Sequence, residues 1–158
     1  MLKNKFFSFV LFLVITYSAS FIGGLVTISL KEPWYSQLIK SNYNPPDWVF
    51  APVWTTLYLM MTLAIWFFWN SKNRDMKTVY IYFIHIVFNT TWSIVFFGLH
   101  QIFLALVVLI VLVILIILII ILIFKFKRVN YVSAYLMIPY LLWSCYALFL
   151  NFNLYILN

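Results

Sequence analysis

Few residues in this chain could carry chemistry, and their types exclude most of it. Glu32, Asp47 and Asp75 are the only carboxylates in 158 residues. They are too few and too scattered for paired-acid glycoside hydrolysis or a multi-carboxylate calcium site. Cys145 is the single cysteine, which rules out an intrachain disulfide and a thiolate zinc cluster. No nucleophile elbow, Walker loop or HExxH zinc motif occurs. What remains is aromatic and amide: Trp54, Tyr58, Met61 and Ile65; His85, Asn89, Trp92 and Phe96; and Tyr140, Trp143, Ala147 and Asn151. Three- and four-residue steps put each set on one helix face. Tryptophans turned inward around the small Ala147 point to a flat aromatic ligand, because large π faces contribute about 0.5 to 1.5 kcal/mol beyond area burial. Plainer roles stay open beside that one. Tryptophans mark the interfacial belt of membrane helices, Asn89 can bond a neighbouring helix, and His85 can sit near the interface as a neutral hydrogen-bonder.

The elements that position these residues follow from composition. With 66% hydrophobic, 22% aromatic and 8% charged residues, the chain is too apolar for a soluble domain or a disordered one. A helix crossing the hydrocarbon core needs about 20 apolar residues. Five uncharged runs satisfy this, at 6–30, 48–70, 78–99, 102–124 and 131–151. The alternation of a membrane β-barrel is absent. The fold expected is all-α, a polytopic membrane protein built as a single five-transmembrane-helix bundle over residues 1–158. Gly98 is the natural breaker between the third and fourth runs. The fourth run, Phe103 to Phe124, is apolar all round and reads as a helix mostly facing lipid, without a ligand. In the first run Thr16, Ser20, Gly23 and Thr27 form a small-residue face for close helix packing.

Eight basic residues (Lys3, Lys5, Lys72, Arg74, Lys77, Lys125, Lys127 and Arg128) fall on the N-terminal side of this topology, against Lys31 and Lys40 on the other. The positive-inside rule then puts the N-terminus in the cytoplasm and the C-terminus outside. The net charge of +7 is a topology signal, and its scatter over several loops argues against nucleic acid. Lys3, Lys5 and the small residues Ser18, Ala19 and Ser20 have the look of a leader peptide, but apolar residues continue to Leu30, so the segment reads as an uncleaved first span.

Residues 31–47 form the longest loop. Glu32-Pro33 opens a short helix over WYSQLIK, and Asn44-Pro45-Pro46-Asp47 makes a rigid turn with Asp47 as N-cap of the second span. This loop reads as a lid over the outer mouth of the bundle, or as an interfacial anchor. Pro139 should kink the fifth span, while Pro52 either kinks the second or begins its regular part.

With these residues in view, the sequence resembles the TspO/MBR family: the bacterial tryptophan-rich sensory proteins and the mitochondrial translocator protein once called the peripheral benzodiazepine receptor. The resemblance rests on WYSQLIKSNYNPPDWVFAPVWTTLY (Trp34 to Tyr58), on Asn89-x-x-Trp92-Ser93 followed by Phe96-Phe97, and on Pro139-Tyr140-x-x-Trp143-x-x-x-Ala147-x-x-Leu150-Asn151. It implies a five-helix bundle, commonly a homodimer, and the low-charge helical spans themselves fit a bacterial plasma membrane best. Its ligands would be porphyrins such as protoporphyrin IX, haem-like tetrapyrroles, some sterols, and isoquinoline or benzodiazepine-type molecules, with no metal or other cofactor required. Carried over by position, Trp54, Asn89, Trp92, Trp143 and Ala147 would line the pocket, with Trp34 and Tyr35 closing it; Tyr58 shares the Trp54 face. The chain departs from the family where Lys40 is followed by Ser41 rather than Pro, where Tyr43 replaces Trp or Phe, and where no basic residue follows Tyr155, which leaves a C-terminal sterol motif unsupported. Small residues that serve some relatives as a dimer surface are missing from the third span.

Two functions share such a pocket. One is binding for sensing, transport or tetrapyrrole homeostasis, without ion coupling because no carboxylate lies within a span. The other is an enzyme promoting light- and oxygen-dependent oxidative degradation of protoporphyrin IX, with Trp54 and Trp143 as its redox-capable residues.

Overall fold

The computed structural model describes residues 4–72, 74–125 and 131–158. Lys3, Lys127 and Arg128, three of the eight basic residues counted above, lie outside them. Five helices are long and apolar enough to span a membrane, and no strand occurs among the described residues. They are α1 (Lys5–Leu30), α3 (Phe50–Trp69), α4 (Met76–Ser93), α5 (Ile102–Lys125) and α6 (Val132–Leu157); α2 (Trp34–Gln37) is a short helix in the loop between the first two spans.

Local signals set the helix ends. Asn4 caps α1 by accepting from the Phe6 and Phe7 amides, at 2.9 and 3.4 Å, and Asp75 caps α4 through the Thr78 amide at 3.3 Å. Pro52 lies in the first turn of α3, where a missing N–H leaves nothing unpaired, and so begins the regular part of the span. Pro139 stands inside α6, which runs through it without interruption. The two prolines line a shallow groove between α3 and α6. The fifth span runs six residues beyond its expected end at Asn151, and the side chains of Asn153 and Asn158 bond carbonyls of their own helix, at Phe149 and Leu154.

The spans close a ring in the spatial order α1, α3, α6, α5, α4, with α4 returning to α1. Phe12 packs edge-on against Trp69 of α3 at 5.7 Å and stacks with Phe83 of α4. Buried polar bonds join the ring: Thr16 with Tyr82 at 2.7 Å, and Ser133 donating to the Ala64 carbonyl at 2.5 Å. In a membrane such bonds and close packing replace the hydrophobic effect as the force between helices.

Three expectations are refined or corrected here. The fourth span has an outward face, as expected, but it also has a buried stripe. Ala105, Leu106, Leu109, Leu112, Ile116, Ile119 and Ile123 of α5 are buried between α4 and α6. An all-Ile/Leu/Val helix carries no polarity contrast that could reveal its inward stripe. The third span ends at Gly98, as expected of a breaker, but the reversal itself is not made there. Gly98 closes a π-helical turn over Ile94–Gly98, and the left-handed residue is His100, with φ of 56°. What Gly98 provides is room, since a Cβ there would meet Val26 at 3.3 Å. Asp47 caps nothing; it sits inside a 3-10 turn over Asp47–Val49 and its carboxylate accepts from Lys31 at the end of α1.

Candidate functional site

α1, α3, α4 and α6, with the loop between the first two spans, line a cavity of about 360 Å³. Its size falls within the range of small-molecule pockets. α3 contributes Trp54 and Tyr58 one turn apart; α4 contributes Asn89, Trp92 and Ser93, and the π-helical turn adds Phe96 and Phe97. α6 supplies Ala147, Leu150 and Asn151, while α1 supplies Ser20, Gly23, Gly24 and Thr27. Phe96 lies alongside Trp92, four residues before it, with ring centroids 5.3 Å apart in a stacked pair.

The polar groups in this apolar cavity are mostly committed to each other. Tyr58 donates to Asn89 Oδ1 at 2.5 Å, and Asn89 Nδ2 donates to the Tyr140 hydroxyl at 3.0 Å. Trp92 Nε1 donates to Asn151 Oδ1 at 3.1 Å, while Asn151 Nδ2 donates to the Ile102 carbonyl. These bonds hold the rings in place, so the cavity presents aromatic faces with fixed orientation.

The lid closes one end. Tyr35 is buried at 6% exposure against Phe96 and Phe97, and Lys31 and Lys40 lie over its ring at 5.0 and 4.4 Å. Burial raises the Tyr35 phenol above its ordinary value of 10.0; a bond to Asn44 works against this, and the Asp47 and Glu32 carboxylates add to it. Trp34 stacks on His100 at 4.4 Å, Tyr146 donates to the Tyr43 carbonyl at 2.6 Å, and Asn158 exchanges two bonds with the backbone of Ile39. The loop is thus pinned to three other parts of the chain, which fits a lid better than a free anchor.

Of the residues singled out from sequence, Tyr35, Trp54, Tyr58, Asn89, Trp92 and Ala147 line the cavity. Trp34 does not; it holds the lid to the α4–α5 turn. Trp143 stands outside the lining, edge-on to Phe50 at 6.0 Å, with its indole N–H buried and unbonded. His85 is fully buried between Tyr82 and Tyr140, below the cavity, rather than near the interface, and its Nδ1 pairs with the Tyr82 carbonyl at 2.7 Å. Lys31, Asn44 and Phe50 line the cavity without having been singled out. Nothing in their spacing could single out Asn44 or Phe50. Lys31, the first charge after a span, reads equally well as a membrane anchor. No group of three or more metal-ligating side chains occurs among the described residues.

The TspO/MBR family model matches residues 10–157. The chain belongs to the TspO/MBR family. Relatives include the tryptophan-rich protein TspO of Chlorobaculum tepidum, 32% identical over 89% of both chains, and that of Archaeoglobus fulgidus, 33% identical over 87% of this chain and 88% of the relative. The human translocator protein is 29% identical over 84% of this chain and 79% of its own length. As a TspO/MBR protein the chain is a multi-pass membrane protein, and its cavity lies among the motifs that carry the resemblance.

Proposed function

We propose that this protein binds porphyrins, protoporphyrin IX or a haem-like tetrapyrrole, in the cavity beneath the lid, in the service of sensing, transport or tetrapyrrole homeostasis. The observation that carries this reading is the convergence of Trp54, Tyr58, Trp92 and Phe96 on one cavity in which α6 contributes the small Ala147. A flat macrocycle gains dispersion and stacking from such rings, and the small wall leaves room for its plane. Isoquinoline and benzodiazepine-type molecules suit the same surfaces. The protein acts as a homodimer in a bacterial plasma membrane, with the N-terminus cytoplasmic and the lid and C-terminus outside. That orientation is supported by Lys5, Lys72, Arg74, Lys77 and Lys125 standing at span ends away from the lid.

Titration of protoporphyrin IX into purified protein, read by the Soret band, tests the binding. A saturable shift is expected, with affinity reduced about 10-fold or more by Trp54→Ala, the typical loss for a central aromatic anchor. An unshifted band, or an unchanged affinity in the variant, would exclude this site.

A second reading, photo-oxidative degradation of protoporphyrin IX, is favoured by one feature. Trp54 and Tyr58 both line the cavity with ring centroids 5.8 Å apart, and Tyr17 stands a further 6.0 Å from Tyr58, a run of redox-capable rings that starts in the site. Illumination of the complex in air would give a bilin-like absorbance lost in Trp54→Phe. Porphyrin loss no faster than in detergent alone would exclude the activity.

A further inference from the structure

We infer that Tyr140 and His85, buried beneath the cavity, form a redox pair in which Tyr140 gives an electron to Trp54 and its phenolic proton to His85. This rests on the second reading above, the photo-oxidation of a bound porphyrin, and says where the oxidising equivalent goes. Three tyrosines are reached from Trp54 through ring contacts: Tyr58 at 5.8 Å, Tyr17 beyond it, and Tyr140 at 6.3 Å. Their hydrogen bonds separate them. A tyrosine that loses an electron in the interior must also lose its proton, since an unpaired buried charge is costly. It therefore needs a base. Tyr58 donates to Asn89 Oδ1 and Tyr17 to the Thr55 carbonyl, and amide oxygens accept a hydrogen bond without taking the proton. Tyr140 differs. Its hydroxyl accepts from Asn89 Nδ2 at 3.0 Å, which leaves its own proton to be given, and its ring is edge-on to His85 at 5.5 Å.

His85 supplies the base. A carbonyl only accepts, so the 2.7 Å bond between Nδ1 and the Tyr82 carbonyl puts the hydrogen of the neutral ring on Nδ1 and leaves Nε2 a bare lone pair. Nε2 is buried without a partner, and buried polar groups are so generally paired that an orphan calls for a role. Ser144 Oγ, one turn along α6 from Tyr140 and beside its phenol, is buried and unpaired as well, and can pass the proton between the two rings. The step balances. Light drives one electron from the bound porphyrin to dioxygen, giving superoxide, and Trp54 replaces that electron. Tyr140 then reduces Trp54: its O–H bond breaks, an N–H bond forms at His85 Nε2, and a neutral phenoxyl and an imidazolium remain. The positive charge moves from the Trp54 indole to His85, where the Tyr82 ring at 4.9 Å, the Tyr140 ring and the Tyr82 carbonyl receive it. The oxidising equivalent is thereby held on residues outside the cavity lining.

The test uses full-length protein loaded with protoporphyrin IX, illuminated in air, freeze-trapped at intervals and read by electron paramagnetic resonance. A Soret shift at saturating porphyrin shows each variant folded and loaded. Wild type is expected to give a neutral tyrosyl radical. Tyr140→Phe should lose it and leave a tryptophanyl signal. His85→Asn, which keeps a donor for the Tyr82 carbonyl but has no base, should form the tyrosyl radical about 100-fold more slowly, the low end of what a positioned base contributes. Equilibration in deuterium oxide should slow its formation in wild type, which reads the coupling of proton to electron without any substitution. Absence of a tyrosyl radical in loaded wild type, its survival in Tyr140→Phe, or a rate indifferent to both His85→Asn and deuterium would overturn the pair. The radical without bilin-like absorbance would remove the degradation and leave the pair, whereas no Soret shift in wild type would remove both.

Discussion

Asn151 on α6 accepts the Trp92 indole N–H from α4 at 3.1 Å and donates its own amide to the Ile102 carbonyl at the start of α5 at 3.0 Å. One side chain thereby joins three helices and fixes the plane of a cavity tryptophan. Asn151→Leu removes both bonds. At about 0.6 kcal/mol for an average polar bond between membrane helices, the loss in stability should be about 1 kcal/mol. The released indole should also weaken porphyrin binding. Thermal unfolding in detergent and a Soret titration check the two effects together.

Gly23 and Ser93 test the seal between α1 and α4. Gly23→Ala brings a Cβ to 2.9 Å from Ser93 Oγ, an overlap opposed by a helix-propensity gain of about 1 kcal/mol, so the net change in stability should be small. In a Ser93→Ala background the overlap is relieved and the same change should stabilise. Gly23→Leu should destabilise by about 1 to 3 kcal/mol as an overpacked contact. Melting temperatures of the four variants against wild type decide this.

Lys31 bridges α1 to Asp47, whose side chain is 58% exposed, and also lies 3.8 Å from Glu32. Pairs this exposed contribute about 0 to 1 kcal/mol. Lys31→Met should therefore speed ligand release by no more than about 5-fold at low salt. The difference should shrink in high salt, where screening weakens the wild-type pair. Stopped-flow dissociation at two ionic strengths measures it.

Tyr35 gives the lid a pH dependence on the alkaline side. Its phenol is raised above 10.0 by burial when the lid is closed, so the closed lid holds this proton more tightly than the open one. The contribution to lid closure is fully present below pH 10.0 and is lost as pH rises through the raised value. Ligand release should accelerate over that alkaline range in wild type and not in Tyr35→Phe, measured by the same stopped-flow experiment.

Helix number, most helix limits and three of the lining faces were legible in the sequence because each depends on local facts. The apolar runs, the charges at their ends and the three- and four-residue spacing of Trp54 with Tyr58, and of Asn89 with Trp92, need no knowledge of the partner helix. Trp143 marks where that logic stops. It shares a helical stripe with Ala147, yet a stripe is broad, and the position of α3 places Phe50 against Trp143 and leaves Ala147 in the lining. His85 differs in the same way from Asn89, one turn along the helix: both are buried, and only Asn89 lines the cavity.

By itself the sequence determined that this is a membrane protein of five helices, with a long loop after the first span and aromatic stripes, because desolvation of the backbone and of charge in lipid leaves no other arrangement. Only the tertiary structure decided the ring order of the helices, the buried stripe of the uniformly apolar α5, the pairing of Lys31 with Asp47 and the contact of His85 with Tyr140. These depend on which surfaces meet, and in a membrane that is decided by shape and by a few hydrogen bonds between helices, quantities a one-dimensional pattern of polarity does not carry.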